Sequence, residues 1–229
     1  MSRYKRFCIV ICLFMLLNSG WSQKLVNFKG HCGYYYQSME HLQSKIGSQL
    51  ALYDFHPGQT VGSIGAQCAY WEAAFAASTD NVTFYLEDID TSGLNQKQVD
   101  FAWDYYSKLR GKPLSCDYKI VIGDETSTHL PELLFDKMII INSFHEFTEQ
   151  AQMLDDLHHK IKAGGILYIV EQLAQKSGEI HAVCKKRIYT DDEMISVVEK
   201  NGYKYADGLV TEIYKGKPKV KIFAFKKTG

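Results

Sequence analysis

Residues 61–76, VGSIGAQCAYWEAAFA, combine a short apolar run, a glycine-containing turn and a run of residues with helical character. Strand–turn–helix units of this kind form nucleotide-binding loops in α/β folds, because glycine lets the backbone approach a ligand closely. Only Gly62 and Gly65 are present, and Gln67 and Ala69 stand where further glycines are expected. The stretch indicates an α/β fold and leaves two interpretations of the loop open, a cofactor site or an ordinary tight turn.

The chain beyond this stretch repeats the alternation of strand and helix. Apolar runs with β-branched residues predict five strands, at TVGSIG, VTFYLED, YKIVIGD, DKMIIIN and GGILYIVE. Helices are predicted between them, at AQCAYWEAAFAAS, NQKQVDFAWDYYSKL and TEQAQMLDDLHHKIK. Strands separated by helices form parallel sheets, and runs that are apolar throughout are typical of strands covered on both faces.

The C-terminal part departs from this alternation. A helix is predicted over 191–201, with Thr190 as its N-cap and Gly202 just past its end. Two strands follow, YKYADGLVTEIY and KVKIFAFKK, joined by the turn KGKP. Strands joined this tightly run antiparallel. The sequence therefore predicts a mostly parallel sheet whose last strand is reversed.

The N-terminus has the layout of a secretory signal peptide. Basic residues precede the unbroken apolar run 7–17, and small polar residues follow as far as Ser22. The run is shorter than the roughly 20 residues needed to span a bilayer. We therefore predict cleavage near Ser22 and export to the periplasm or the medium, without stable membrane insertion; an uncleaved N-terminal anchor is the alternative. The predicted organisation is a signal peptide (1–22), an N-terminal helical extension (23–56) and an α/β domain (57–229).

Four cysteines remain after the predicted cleavage, namely Cys32, Cys68, Cys116 and Cys184. An even number in an exported protein permits two disulfides, in any of three pairings. Buried free thiols are an equal alternative, and the sequence does not distinguish between them.

Composition and spacing argue against some partners. Lysine plus arginine equal aspartate plus glutamate at 26 each, so net charge provides no attraction to nucleic acid or to an anionic membrane. No cysteine pair has CxxC spacing, and His158 and His159 are adjacent on a predicted helix, where neighbouring side chains diverge. The sequence therefore predicts no metal site. It does not indicate an oligomeric state.

Ligands of open α/β sheets bind beyond the carboxyl ends of the strands. After the first strand, Gly65 would let the backbone approach a ligand, and a helix starting near Ala66 would direct its amide dipoles there. After the second strand, Asp88 is placed to accept hydrogen bonds from the two hydroxyls of a ribose. After the third, Asp124 could accept from an exocyclic amine such as that of adenine. Tight turns and solvated acidic loops are the structural alternatives.

The fourth strand end, Asn142 to Phe147, lies on the side where a substrate would approach. His145 titrates near neutrality and could move a proton during a reaction. The alternative is a residue that caps or packs against the start of a helix.

These strand ends together resemble the class I S-adenosylmethionine-dependent methyltransferases, over roughly residues 50–227. The strongest likeness is FDKMIIINSFHEFTEQAQMLDDLHHKIKAGGILYIVEQ, which is similar to the fourth strand, the following helix and the glycine pair that opens the fifth strand. HPGQTVGSIGAQCAYWEAAFA resembles the first motif, an acidic residue followed by GxGxG, and NGYKYADG with the final hairpin resembles the C-terminal end. The resemblance implies a Rossmann-like, seven-stranded sheet with an antiparallel last strand. It also implies S-adenosylmethionine as the cofactor.

Carried over residue by residue, Gly65 matches the first glycine of the loop, and Gln67 and Ala69 replace the second and third. Ser63 stands where the acidic residue supports the methionine part of the cofactor. Asp88 matches the ribose-binding acid, and Asp124 matches the acid near adenine. Ala66 and Asn142 complete the predicted cofactor contacts. The adenosine half of the site therefore matches the family better than the methionine half.

Three functions stay open. The first is methyl transfer to a small molecule, with His145 or Glu146 as the base if the acceptor must lose a proton. The second is a binding or regulatory module that keeps the fold but has lost turnover. The third, a nicotinamide-dependent oxidoreductase, is disfavoured because GxGxxG is missing and a terminal antiparallel hairpin is foreign to that layout.

Overall fold

A computed structural model describes residues 24–228, so the predicted signal peptide lies outside the described residues. The strands are β1 Thr60–Ile64, β2 Thr83–Asp88, β3 Asp117–Ile122, β4 Phe135–Ile141, β5 Ile161–Gln172, β6 Tyr203–Tyr214 and β7 Lys217–Lys227. The helices are α1 Met39–Tyr53, α2 Tyr70–Ser78, α3 Gln96–Arg110, α4 Gln150–Lys160 and α5 Asp191–Glu199, with a 3₁₀ turn at Phe144–Glu146. The alternation predicted from the apolar runs is present.

The strands form one seven-stranded sheet in the order β3-β2-β1-β4-β5-β7-β6. β1 to β5 pair in parallel, and β7 runs antiparallel to both β5 and β6. This confirms the predicted mostly parallel, Rossmann-like sheet with a reversed last strand. The strand order reverses between β1 and β4, where connections leave in opposite directions and open a crevice at the carboxyl ends.

Each face of the sheet is covered by its own hydrophobic core. On one face, Phe75 and Tyr106 of α2 and α3 pack with strand residues such as Phe84. On the other, Leu154 of α4 packs with residues such as Phe223. Burial on both faces explains why β1, β2 and β4 are apolar through most of their length. It also holds their carboxyl ends in fixed register.

Residues 24–56 contain one helix, α1, which the Ser38 side chain caps by accepting from the His41 amide. The chain before it forms an isolated antiparallel bridge between Val26 and Tyr35. Tyr168 of β5 donates to the Leu52 carbonyl at 3.1 Å, which fastens the end of α1 to the sheet. The domain boundary predicted at 56/57 stays a prediction.

The four cysteines of the described residues form one disulfide rather than two. Cys32 is joined to Cys68, at a sequence separation of 36, and Cys116 and Cys184 are free thiols. Because Cys68 lies in the loop after β1, the bridge ties that loop to the N-terminal segment.

The predicted α5 and the C-terminal hairpin are present, with small differences in extent. Thr190 caps α5 in a capping box with Glu193. The last two strands are joined by only Lys215 and Gly216, both with positive φ, which is typical of a tight hairpin turn. Among the described residues, no helix has the length and apolar character that crossing a bilayer requires.

Candidate functional site

A cleft of about 950 Å³ lies at the carboxyl ends of β1, β2 and β4. Every residue predicted for the site lines it except Ser63 and His145: Gly65, Ala66, Gln67, Asp88, Asp124, Asn142 and Glu146. The parallel register explains this convergence, because Ile64 pairs with Glu87 of β2 and Ile140 of β4, so the three strands end side by side.

The loop after β1 has a glycine-like backbone even where glycine is absent. Gly65, Gln67 and Ala69 have φ values of +69°, +51° and +57°. The left-handed conformation costs a non-glycine residue roughly 1–2 kcal/mol, so the surrounding contacts must hold Gln67 and Ala69 there. As a result α2 begins at Tyr70, and the prediction that a helix begins near Ala66 is wrong. The three left-handed residues delay the first helical turn by four positions.

One hydrogen bond and one steric limit fix the path of this loop. The Gln67 amide donates to Asp88 Oδ2 at 2.8 Å, which joins the loop to the end of β2. A Cβ on Gly65 would lie 2.5 Å from Ser143 Oγ, so glycine is required where the loop passes the end of β4. Asp88 is held further by the Asp90 amide, which donates to its other carboxylate oxygen at 2.8 Å. The carboxylate predicted to bind ribose is thus oriented by two backbone amides.

Ser63 lies beneath the loop and is buried. Its hydroxyl donates to Oε1 of Glu72, on α2, at 2.5 Å. Burial raises the pKa of Glu72 to about 7, against the opposing effect of the Ser63 hydrogen bond, and Glu72 Oε2 has no partner within the described chain. A carboxyl group therefore lies beside the position where the family's strand carboxylate is expected, although it comes from the helix.

Glu87 is a second buried carboxyl group, and it lines the cleft. Burial and the neighbouring Asp88 carboxylate raise the pKa of Glu87 to about 8, so it is largely protonated at neutral pH. A neutral carboxyl can donate a hydrogen bond. Its Oε1 is buried and has no hydrogen-bond partner among residues 24–228, so its hydrogen-bonding capacity is unsatisfied. Glu87 was not among the residues predicted for the site, because strand alternation does not mark a buried acid.

Asp124 is engaged with its own loop. Its carboxylate accepts from the Thr126 hydroxyl and from the Thr126 and Ser127 amides. These hydrogen bonds, the Thr126 hydroxyl first, lower the pKa of Asp124 to about 2. The side chain is half exposed and lies 3.1 Å from His129 Nε2. Asp124 is therefore a permanently charged group at the rim of the cleft.

His145 is buried behind the cleft wall, with Nδ1 2.9 Å from both carboxylate oxygens of the buried Glu171. Burial by itself would lower the pKa of His145, but the hydrogen bond and charge of Glu171 outweigh it and raise the pKa to about 9. His145 makes no side-chain cap on its 3₁₀ turn. Glu146, by contrast, is half exposed and faces the cleft.

Two further residues approach His145 from the loop between β5 and α5. One ligand atom each of His145, His181 and Cys184 lie within 4.8 Å of one another. No metal site was predicted from the sequence, and this cluster was missed. Its three members are separated by up to 39 positions and follow no local repeat, so no pattern in the chain indicates that they meet.

No protein-family model and no curated protein matches the chain. Solved structures do: a SAM-dependent methyltransferase from Aquifex aeolicus has a TM-score of 0.58 and 19% identity over 80% of this chain and 91% of that one. A putative methyltransferase from Bacillus halodurans has a TM-score of 0.59 and 11% identity, over 81% and 100%. The [4+2]-cyclase SpnF has a TM-score of 0.61 and 15% identity, over 96% and 95%.

These likenesses show that the chain has the fold of class I S-adenosylmethionine-dependent methyltransferases, as its motifs indicated. At such low identity they show the fold alone. The cyclase among them illustrates that one fold hosts more than one reaction, so function must be argued from the site.

Proposed function

We propose that the cleft binds S-adenosylmethionine and supports methyl transfer to a small acceptor. The observation that carries this proposal is the loop after β1, whose backbone takes the glycine conformation at three alternate positions and donates the Gln67 amide to Asp88. Two non-glycine residues are held in a costly conformation there. Such strain persists where the surrounding structure imposes it, and it concentrates at ligand sites.

In this proposal the adenosine end is held by the residues beyond β2 and β3. Asp88, whose two oxygens are already oriented by backbone amides, accepts the ribose hydroxyls in charge-assisted hydrogen bonds. Glu87 is neutral in the cleft wall, which leaves Asp88 as the charged group that meets the ribose. Asp124 adds a fixed negative charge at the rim, where its pKa is well below neutrality.

The methionine end is proposed to be supported by Glu72 through Ser63. A carboxylate at this place favours the ammonium and sulfonium charges of the cofactor, because opposite charges attract strongly in a partly buried site. Glu72 occupies this place from α2 and is in contact with the serine of β1. Neither Glu72 nor Ser63 lines the cleft, so this support would act through charge and not through direct contact.

The bound cofactor supplies an electrophilic methyl group, which an acceptor nucleophile displaces in line from the sulfonium. The chain's contribution to such a displacement is mainly positioning. Glu146 faces the cleft and is the group placed to take a proton from an acceptor. The proton of His145 Nδ1 is held by Glu171, so His145 positions its neighbours rather than acting as a free base.

Calorimetric titration with S-adenosylmethionine, S-adenosylhomocysteine and adenosine tests the binding step. We expect one equivalent of S-adenosylmethionine to bind. NAD⁺ is the control ligand, because it shares the adenosine moiety and lacks the methionine. Binding of NAD⁺ without S-adenosylmethionine would overturn the proposal in favour of a nicotinamide enzyme.

A binding module without turnover is the second candidate, and one observation favours it. With a pKa of about 7, Glu72 is only partly ionised at neutral pH, so its support for the cationic end is weaker than that of a fully charged acid. In this case the adenosine end would dominate recognition. Adenosine and S-adenosylmethionine would then bind with similar affinity, whereas a methyltransferase site should favour S-adenosylmethionine.

We also propose that the protein works in an oxidising compartment after removal of residues 1–22. The Cys32–Cys68 bridge supports this, because disulfides persist in exported proteins and are rare in the cytosol. The mass of the intact protein from the exporting cell tests it. Retention of the predicted signal peptide would contradict cleavage.

A further inference from the structure

We propose that His145, His181 and Cys184 form a binding site for a divalent transition-metal ion, with Zn²⁺ as the best match. The site lies beside the cleft, on the side away from Asp88. This proposal does not depend on the proposed methyl transfer, because metal binding can be tested without any cofactor.

The three side chains already converge. Their ligand atoms lie within 4.8 Å of one another, and the His145 and His181 rings are 4.9 Å apart between centroids. His181 Nδ1 is 3.0 Å from Cys184 Sγ. In a tetrahedral zinc site, Zn–N bonds of about 2.1 Å and Zn–S bonds of about 2.3 Å place ligand atoms roughly 3.3–3.6 Å apart. Any pair therefore needs to close by about 1.5 Å at most, which is the scale of a side-chain rotation.

His145 is oriented as a metal ligand. Its Nδ1 is held by the Glu171 carboxylate at 2.9 Å, which leaves Nε2 as the free nitrogen. Nε2 has no hydrogen-bond partner within the described chain, although the residue is 3% exposed and the Cys184 thiol is close by. Metal-binding histidines typically direct their second nitrogen to a carboxylate, which fixes the tautomer and the ring. Glu171 takes that supporting position.

His181 and Cys184 are presented by a tight hairpin. Ile180 and Arg187 form an antiparallel bridge, and the His181 amide donates to the Lys186 carbonyl at 2.8 Å. Lys185 turns the chain with φ of +61°. Two residues separate His181 from Cys184, which is the short ligand spacing common in zinc sites. The hairpin thus brings both side chains together near His145.

The donor set selects the class of metal. Two imidazoles and a thiolate suit Zn²⁺ and related first-row ions and exclude Mg²⁺ and Ca²⁺, which prefer oxygen ligands. Binding would replace the thiol proton of Cys184 and the Nε2 proton of His145 with bonds to the metal, and both protons would leave to solvent. Three protein ligands leave a fourth position. Glu146 Oε1 is 3.8 Å from His145 Nε2, and both Glu146 and Cys184 line the cleft, so that position faces the cleft.

The test uses the purified protein with its disulfide intact, stripped with a chelator and then titrated with Zn²⁺ against a chromophoric competitor. We expect one equivalent to bind, and Co²⁺ to give a thiolate charge-transfer absorption. Cys184→Ser and His181→Ala should each weaken Zn²⁺ binding at least tenfold. Cys184→Ser should also abolish the thiolate charge-transfer absorption of the Co²⁺ form. Glu171→Gln should weaken binding by roughly ten- to a hundredfold.

Matched controls are Cys116→Ser, which makes the same change at the other free thiol, and His159→Ala, which removes an exposed histidine outside the cluster. Both should bind Zn²⁺ like the wild type. Absence of stoichiometric binding by folded wild-type protein would overturn the proposal, as would equal binding by wild type and Cys184→Ser. In either case the cluster would be only a hydrogen-bonded His–Cys pair, and S-adenosylmethionine binding would be untouched.

Discussion

The hydroxyl of Ser63 on β1 donates a 2.5 Å hydrogen bond to the carboxyl group of Glu72 on α2. In the methyltransferase family that the chain resembles, the strand that corresponds to β1 carries an acidic residue at the position of Ser63. Here a carboxyl group reaches Ser63 from nine positions later, in the first turn of the helix that the loop leads into. Because of this hydrogen bond, a substitution of either side chain changes the environment of the other.

The first prediction concerns pH and ligand charge. Burial raises the pKa of Glu72 to about 7, so its negative charge develops as the pH rises through neutrality. We expect the affinity for S-adenosylmethionine, relative to that for adenosine, to rise with pH across this transition by up to about tenfold, equivalent to about 1.4 kcal/mol, because the titration of Glu87 in the same cleft acts on both ligands. Titration calorimetry at acidic, neutral and alkaline pH measures both. Glu72→Gln should remove the difference and Glu132→Gln, at an exposed carboxylate, should keep it; an equal rise for adenosine would contradict the role of Glu72.

The second prediction concerns an acidic residue introduced on β1 at position 63. Ser63→Asp would place a second buried carboxyl group against Glu72, and two close carboxylates cannot both ionise without cost. We expect the variant to lose on the order of 3 kcal/mol of unfolding free energy at mildly alkaline pH. Adding Glu72→Gln should recover most of this loss. Urea denaturation measures it, and a Ser63→Asp variant as stable as the wild type would show that the two sites are not coupled.

The third prediction is a pH dependence of stability. The pKa of Glu87 is about 8 in the folded protein against an ordinary value of 4.5, so between these values the folded state holds a proton that the unfolded state has lost. The contribution of Glu87 to stability is therefore greatest below pH 4.5 and falls as the pH rises towards 8. The fall amounts to a few kcal/mol, because each tenfold change in proton affinity corresponds to about 1.4 kcal/mol.

Glu87→Gln should remove the part of the pH dependence of the unfolding free energy that Glu87 causes, since glutamine carries no titrating proton. Urea denaturation at acidic, neutral and alkaline pH compares the variant with the wild type. Parallel dependences of unfolding free energy on pH in the two proteins would exclude Glu87 as a cause.

The fourth prediction concerns ribose recognition. Asp88→Asn keeps one oxygen that can accept from the Gln67 amide, but it removes the charge. Losing charge-assisted hydrogen bonds costs about 1.5–3 kcal/mol, so S-adenosylmethionine and adenosine should both bind roughly ten- to a hundredfold more weakly. Asp104→Asn, at an exposed aspartate of α3 outside the cleft, is the control. An unchanged dissociation constant in folded Asp88→Asn protein would remove Asp88 from the site.

The fifth prediction concerns the disulfide. The Cys32–Cys68 bridge closes a loop with a sequence separation of 36, and in the chain-entropy account such a crosslink contributes about 3–4 kcal/mol. Reduction should lower the unfolding free energy by this amount and weaken S-adenosylmethionine binding, because Cys68 lies between the two strained residues of the loop. Denaturation and calorimetry with and without reductant measure both effects. The Cys32→Ser, Cys68→Ser double variant should not respond to reductant; a further loss in that protein would mean that the reductant acts elsewhere.

Much of the fold follows from local patterns. The apolar runs, the Thr190 cap and the short C-terminal turn depend on neighbours within a few positions, so they can be recognised in the chain itself. The convergence of Gly65, Asp88 and Asn142 is also predictable, because parallel strands present their carboxyl ends at one edge. The predicted start of α2 was wrong by four residues, since the positive φ values of the two residues flanking Cys68 are imposed by the packed loop and not by their residue types.

Local sequence patterns specify the order of strands and helices, the reversed last strand and the edge of the sheet where the cleft lies. The tertiary structure alone decided which side chains meet there: Ser63 with Glu72, Cys32 with Cys68, and His145 with Glu171, His181 and Cys184. The two sets of features differ in the sequence distance between the residues that interact. Periodicity and capping depend on residues a few positions apart, so they can be recognised in the sequence. Glu72 on α2, and the hairpin that carries His181 and Cys184, meet their partners only after the sheet has set its register.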